Sequence, residues 1–147
     1  GYTYDSSIFP VRHDRYGVAD APREVFWCAG PEGGRILEIP PLTKRVFGAT
    51  VPMGGGGYFR LVPRWWFTSA VRAADKTSQP AMLYFHPWEF DAAQPELPGL
   101  TGLRRWRHRV GLAKNAAKLT TLLTKFSFGP VRDQLDVLQT TATEFLL

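Results

Sequence analysis

Ala81-Met82-Leu83-Tyr84-Phe85-His86-Pro87-Trp88-Glu89-Phe90-Asp91 is the stretch on which the reading of the fold turns. Five apolar residues run without a break between Pro80 and Pro87. A run of that length between two prolines predicts a strand buried on both faces, the pattern of a parallel sheet. It delivers His86 at its C-terminal end, where parallel α/β sheets carry their functional side chains. An imidazole exchanges a proton near neutral pH, and Glu89 and Asp91 are close enough in sequence to orient it. The plainer alternative is a histidine that caps the strand and bonds to backbone.

Upstream, Tyr2–Asp5, Glu24–Trp27, Arg35–Ile39 and Val46–Val51 read as short strands. Gly30-Pro31-Glu32-Gly33-Gly34 is a turn signal between two of them. Asp5 closes the first strand and precedes Ser6-Ser7, so an Asx or ST turn is its favoured reading over catalysis. Glu38 lies in the apolar Ile36–Ile39 segment, either as the solvent-facing residue of an alternating strand or, if buried, in need of a partner. The glycines at 54–57 lack the lysine and hydroxyl of a P-loop, which leaves a flexible loop or a close backbone approach to substrate. Pro63 suits the first turn of a helix through Trp66, Ala70 and Ala74, which Pro80 stops.

Downstream, Asp91–Gly99 reads as a proline-rich loop. Leu112, Ala116, Leu119, Leu122 and Phe126 follow helical periodicity, with Lys114, Lys118, Thr121 and Lys125 on the opposite face. Leu135 and Leu138 mark a last short helix after Gly129-Pro130. The expected class is α/β, divided into a segment 1–92 and a proline-rich loop with basic helices over 93–147.

Composition narrows the function classes. The chain has 147 residues, of which 44% are hydrophobic and 14% aromatic, enough for a packed core. Its single cysteine, Cys28, excludes an internal disulfide and a cysteine-rich zinc module. His13, His86 and His108 have no metal-ligand spacing. No apolar run nears the ~18 residues of a membrane-spanning helix. The net charge of +5 is concentrated: Leu97–Arg132 holds Arg104, Arg105, Arg107, Arg109, Lys114, Lys118, Lys125 and Arg132 and no acid. A solvated helix face is the default reading of that block, and contact with an anionic polysaccharide or lipid surface the second. Nucleic acid is not expected, since no reading motif accompanies the charge. Trp65, Trp66, Trp88 and Trp106 are either core or platforms for sugar rings.

Several blocks together resemble one family. Gly1-Tyr2-Thr3-Tyr4-Asp5-Ser6-Ser7-Ile8-Phe9-Pro10 is similar to the corresponding strand of NodB-type polysaccharide deacetylases. Val11–Gly17, Leu37–Pro41, Gly55–Arg60 and Tyr84–Asp91 resemble successive blocks of the subgroup linked to bacterial exosortase-associated exopolysaccharide clusters. The resemblance implies the C-terminal portion of a distorted (β/α) barrel with a helical C-terminal extension. It implies hydrolysis of N-acetyl groups on hexosamine-containing glycans with a divalent metal, usually zinc. His86 matches the late-strand histidine that protonates the leaving amine, and Asp5 is loosely similar to the aspartate that tunes it. Tyr4, Ser6, Tyr58, Trp88 and Glu89 belong to the same blocks and are expected at the substrate.

The family's metal ligands and base lie in a T-F-D-D-like segment and an H-x-x-x-H segment, and neither occurs here. The expectation is therefore a chain that begins after them, holds no tight zinc site, and acts only with the missing N-terminal half of the barrel. Cut strand edges would favour self-association. The alternative is a non-catalytic module binding carbohydrate or an anionic surface. Bacterial cytoplasm and cell envelope both remain open as its compartment.

Overall fold

The computed structural model describes residues 1–13, 16–30 and 33–146. Pro31 and Glu32 of the predicted turn, and Asp14 and Arg15 of the Val11–Gly17 block, lie outside the described residues. The flanking glycines do close a turn, with Gly30 N–H donating to Gly34 O at 2.8 Å.

Two β-structures are present. The larger sheet has the order β1-β3-β2-β6, from Tyr4–Asp5, Arg35–Glu38, Phe26–Ala29 and Thr143–Leu146. It is mixed: β1 runs parallel to β3, β3 antiparallel to β2, and β2 parallel to β6. The smaller is a hairpin of β4 (Thr43–Val46) and β5 (Ala49–Pro52). The helices are α1 (Gly56–Leu61), α2 (Arg64–Lys76), α3 (Gly102–Arg109), α4 (Leu112–Leu123) and α5 (Leu135–Thr141), with 3-10 turns at Pro87–Phe90 and Val131–Gln134. The class is mixed α/β, and the described strands form an open sheet and a hairpin rather than a closed barrel.

Three apolar clusters hold these elements. The first joins Leu42, Met53, Phe59 and Phe67 to Leu122 of α4, with Leu83 and Phe85 packed against it. The second joins Val25, Leu37 and Ile39 to Leu138 of α5, with Met82 against it. The third centres on Phe26 and Cys28, against Phe145 of β6. Segments on both sides of residue 92 thus share their cores.

Four readings of the sequence need correction. The Ala81–Phe85 run is not a strand buried on both faces. It makes only isolated parallel bridges, Pro41↔Met82 and Gly55↔Tyr84, and Tyr84 is 45% exposed. Its neighbours are a proline without an N–H and a glycine segment, so no continuous ladder forms. The run instead alternates, Leu83 and Phe85 into the first cluster and Met82 into the second. Val46–Val51 is not one strand but the turn of a hairpin, with Phe47 (φ 47°) and Gly48 (φ 83°) both left-handed. Those are the dihedrals of a two-residue hairpin turn, written here without the usual Asn-Gly. The glycine run is not a loop but leads into α1. Finally, β6 was unforeseen, because four residues of Thr-Glu-Phe-Leu carry too little pattern to mark a strand.

Candidate functional site

His86 is exposed and occupies the N-cap of the 3-10 turn Pro87–Phe90, with Pro87 in the first position where its missing N–H costs nothing. Glu89, three residues on, folds back in the manner of a capping box: its Oε2 accepts the His86 N–H at 2.9 Å, while its own N–H donates to His86 O at 3.0 Å. Unlike most capping carboxylates, Glu89 is only 2% exposed. A charge so deeply placed needs a partner. Arg60 of α1 supplies it, with Nε 3.6 Å from Glu89 Oε1. Burial pulls the Arg60 pKa down, and the charge of Glu89 acts against that.

Glycine makes this pairing possible. A Cβ on Gly56 would lie 1.8 Å from Glu89 Oε2, and one on Gly55 would lie 2.7 Å from the Tyr84 hydroxyl. Backbone approaches this close admit no side chain. The close approach expected of the glycine run is therefore made to Glu89 and Tyr84 of the same chain.

The Arg60–Glu89 pair anchors a row of rings. Trp88 stacks on His108 (5.1 Å between centroids, 14° between planes) and lies nearly parallel to His86 (6.3 Å, 12°). Tyr84 meets His86 edge-on at 6.2 Å. The Arg60 guanidinium carbon sits 5.0 Å over Trp88, and its Nη1 donates to His108 O at 2.9 Å and Val110 O at 3.2 Å. Asn115 of α4 donates to Glu89 O at 2.8 Å. Burial pushes the Tyr84 phenol pKa up, and the charges of Glu89 and Tyr58 push it further. That coupling puts Tyr58 electrostatically in the same neighbourhood.

Of the residues singled out from sequence, His86, Trp88 and Glu89 thus meet in one network, with Tyr58 beside it. Tyr4, Asp5 and Ser6 lie elsewhere, at the β1 end of the sheet. Asp5 is exposed, and its carboxylate accepts from Ser6 N–H at 2.8 Å and Ser7 Oγ at 2.5 Å. This is the local turn favoured for it. Tyr4 is 37% exposed and Ser6 half-buried. Among the described residues, Asp5 and His86 share no hydrogen bond. The link between the two areas is indirect, through Phe9, whose ring lies 6.4 Å from that of Tyr84.

Arg60, His108 and Asn115 were not foreseen as part of this network. Asn115 had a legible signal: it lies on the apolar face of α4, three residues after Leu112 and seven before Leu122, where a polar residue needs a reason. Arg60 and His108 had none, since their partners are tens of residues away.

Among the described residues, no three His, Cys, Asp or Glu side chains come together in a metal-ligating group. These residues alone do not fit a zinc ion. Nor is any helix among them long and apolar enough to cross a membrane.

A mixed α/β fold with an exposed histidine fixed by a buried ion pair is the class that these observations define. Residues 6–136 match the family described as a domain of unknown function (DUF3473), and the chain belongs to that family. No curated protein and no solved structure matches it.

Proposed function

We propose that this chain is the C-terminal part of a metal-dependent polysaccharide deacetylase acting on N-acetylated hexosamine units, with His86 as general acid. What supports the reading is the resemblance of its blocks to NodB-type deacetylases. The observation that carries His86 in particular is its setting. The residue is exposed, while its backbone N–H is held by Glu89, itself held by Arg60. A backbone anchored in this way would help to orient the imidazole for proton transfer to a leaving amine. The metal half of the site would come from segments of the enzyme outside this chain.

The test is acetate release from N-acetylglucosamine oligomers by the complete gene product. His86→Ala is expected to lower kcat by about 100-fold or more, the usual contribution of a general acid. Unchanged acetate release would remove His86 from the mechanism. A binding module is the second reading. Trp65 (73% exposed) and Trp106 (54%) favour it, as rings open to stack on sugars. A protein that binds the oligomers and releases no acetate would select it.

A further inference from the structure

A cleft of about 530 Å³ opens between the C-terminal end of α1, the start of α2 and α4. Arg60, Arg64, Lys114 and Lys118 line it, together with Asn115 and Thr121, and no carboxylate does. Arg64 and Lys114 have no ion-pair partner among the described residues. Arg60 has Glu89 beside it, but Arg64, Lys114 and Lys118 converge without an acid and repel one another, so the arrangement costs free energy that an incoming anion would return.

Two buried groups point the same way. Lys118 was expected on the solvated face of its helix, yet it is half-buried. Its ammonium donates to Phe59 O and to Val62 O (2.6 Å), and lies 4.6 Å from the centre of the Phe59 ring. Burial pushes its pKa down to about 8. The charged groups lining the cleft around it, Arg60 and Arg64 on one side and Lys114 on its own helix, are all cationic. Asn115 is 1% exposed; its amide N–H is satisfied by Glu89 O, and its carbonyl Oδ1 has no partner. An orphaned buried acceptor calls for a hydrogen-bond donor. Cations and an acceptor together ask for a ligand that carries both a negative charge and a hydroxyl.

We propose that this cleft binds a hydroxylated organic anion, of the class of a sugar bearing a carboxylate or a phosphate. Arg64 and Lys114 take the charge from the rim, Lys118 reinforces it from within, and Asn115 Oδ1 accepts a ligand hydroxyl. Guanidinium and ammonium groups bind both head groups by charge-assisted hydrogen bonds. The cleft shares Arg60 and Asn115 with the His86 network but His86 does not line it, and its test reads binding rather than acetate.

The test is a titration of the 147-residue chain followed by amide NMR shifts. The probes are D-glucuronate, D-glucose 6-phosphate, D-glucose and sulfate. The two sugar anions are expected to shift the Arg64, Gly111 and Lys114 amides saturably, and whichever binds tighter identifies the head group. D-glucose, without charge, and sulfate, without a hydroxyl, are each expected to bind at least about tenfold more weakly. The variant pair Arg64→Glu and Lys114→Glu is at exposed positions, so the fold should survive and binding of the sugar anions should vanish. Equal binding of D-glucose or of sulfate, or sugar-anion binding that survives both charge reversals, would overturn the proposal. So would the absence of any saturable shift.

Discussion

Glu38 and Glu89 are buried to nearly the same depth, 1% and 2% exposed, and are held in opposite ways. Glu89 faces a cation, Arg60, and accepts the His86 N–H. Glu38, on β3, has no ion pair among the described residues. It accepts the Ile8 N–H at 2.8 Å, with Ser7 N–H beside it, and the charge that acts on it is the like-signed Asp5. Burial above all, and then Asp5, push its pKa up; the two backbone N–H groups pull against them. Each glutamate nevertheless does the same architectural task. Glu38 ties down the loop that follows Asp5, and Glu89 ties down His86. A buried carboxylate is an anchor in both places, but only around Glu89 is its charge compensated. The lesson is that the His86 edge is fixed by a paired network, whereas the Asp5 edge is fixed at a standing electrostatic cost.

The largest expected effect comes from breaking the compensated pair. Glu89→Ala leaves the Arg60 guanidinium buried and alone, and should destabilise the chain by about 3–5 kcal/mol in urea unfolding. A loss below 1 kcal/mol would mean that the pair contributes little. Gly56→Ala attacks the same pair by crowding, since its methyl would occupy the place of Glu89 Oε2. A loss of about 1–3 kcal/mol is expected, and the amide resonance of His86 should move with it.

Glu38 should respond in the other direction. Below the ordinary carboxylate pKa of 4.5, both the folded and the unfolded chain hold the proton, and Glu38 carries no penalty. As pH rises through its elevated folded value, the folded chain must bear a charge that the unfolded chain bears easily, and stability is lost. Glu38→Gln is therefore expected to be more stable than the native chain at pH 7, by about 1 kcal/mol, with the gap closing below pH 4.5. A gap of the same size at both pH values would show that charge burial is not its source. The smallest effect lies away from both glutamates and serves as their control. Phe47 is fully exposed with φ of 47°, a conformation that asparagine adopts more readily. Phe47→Asn should raise stability by about 0.5–1 kcal/mol at every pH, read from the urea midpoint.

Where a feature depends on neighbours in sequence, it was legible. Arg35–Glu38 carries an apolar centre and is closed by Pro40-Pro41, and it is a strand, although Glu38 is buried beside Leu37 rather than turned to solvent. The helix over Arg64–Lys76 follows Pro63, and α4 buries Leu112, Leu122 and half of Leu119 as its period requires. His86 stands at the end of an extended run, as read. Yet the run that delivers it is not the doubly buried strand that its composition suggests, because burial on the second face depends on what lies alongside. The same limit applies to the site. Glycines at 54–57 announced a close approach, and only the fold named Glu89 and Tyr84 as what approaches.

The sequence by itself determined the local periods, the turns, the position of His86 and the concentration of positive charge before Arg132. The tertiary structure alone decided that Arg60 meets Glu89, that Lys118 turns inward to the carbonyls of α1, and that the last residues return to pair with β2. The physical reason is range. Backbone propensity and hydrophobic period act over a few residues, whereas pairing a buried charge requires a partner that the chain brings back from far along its length.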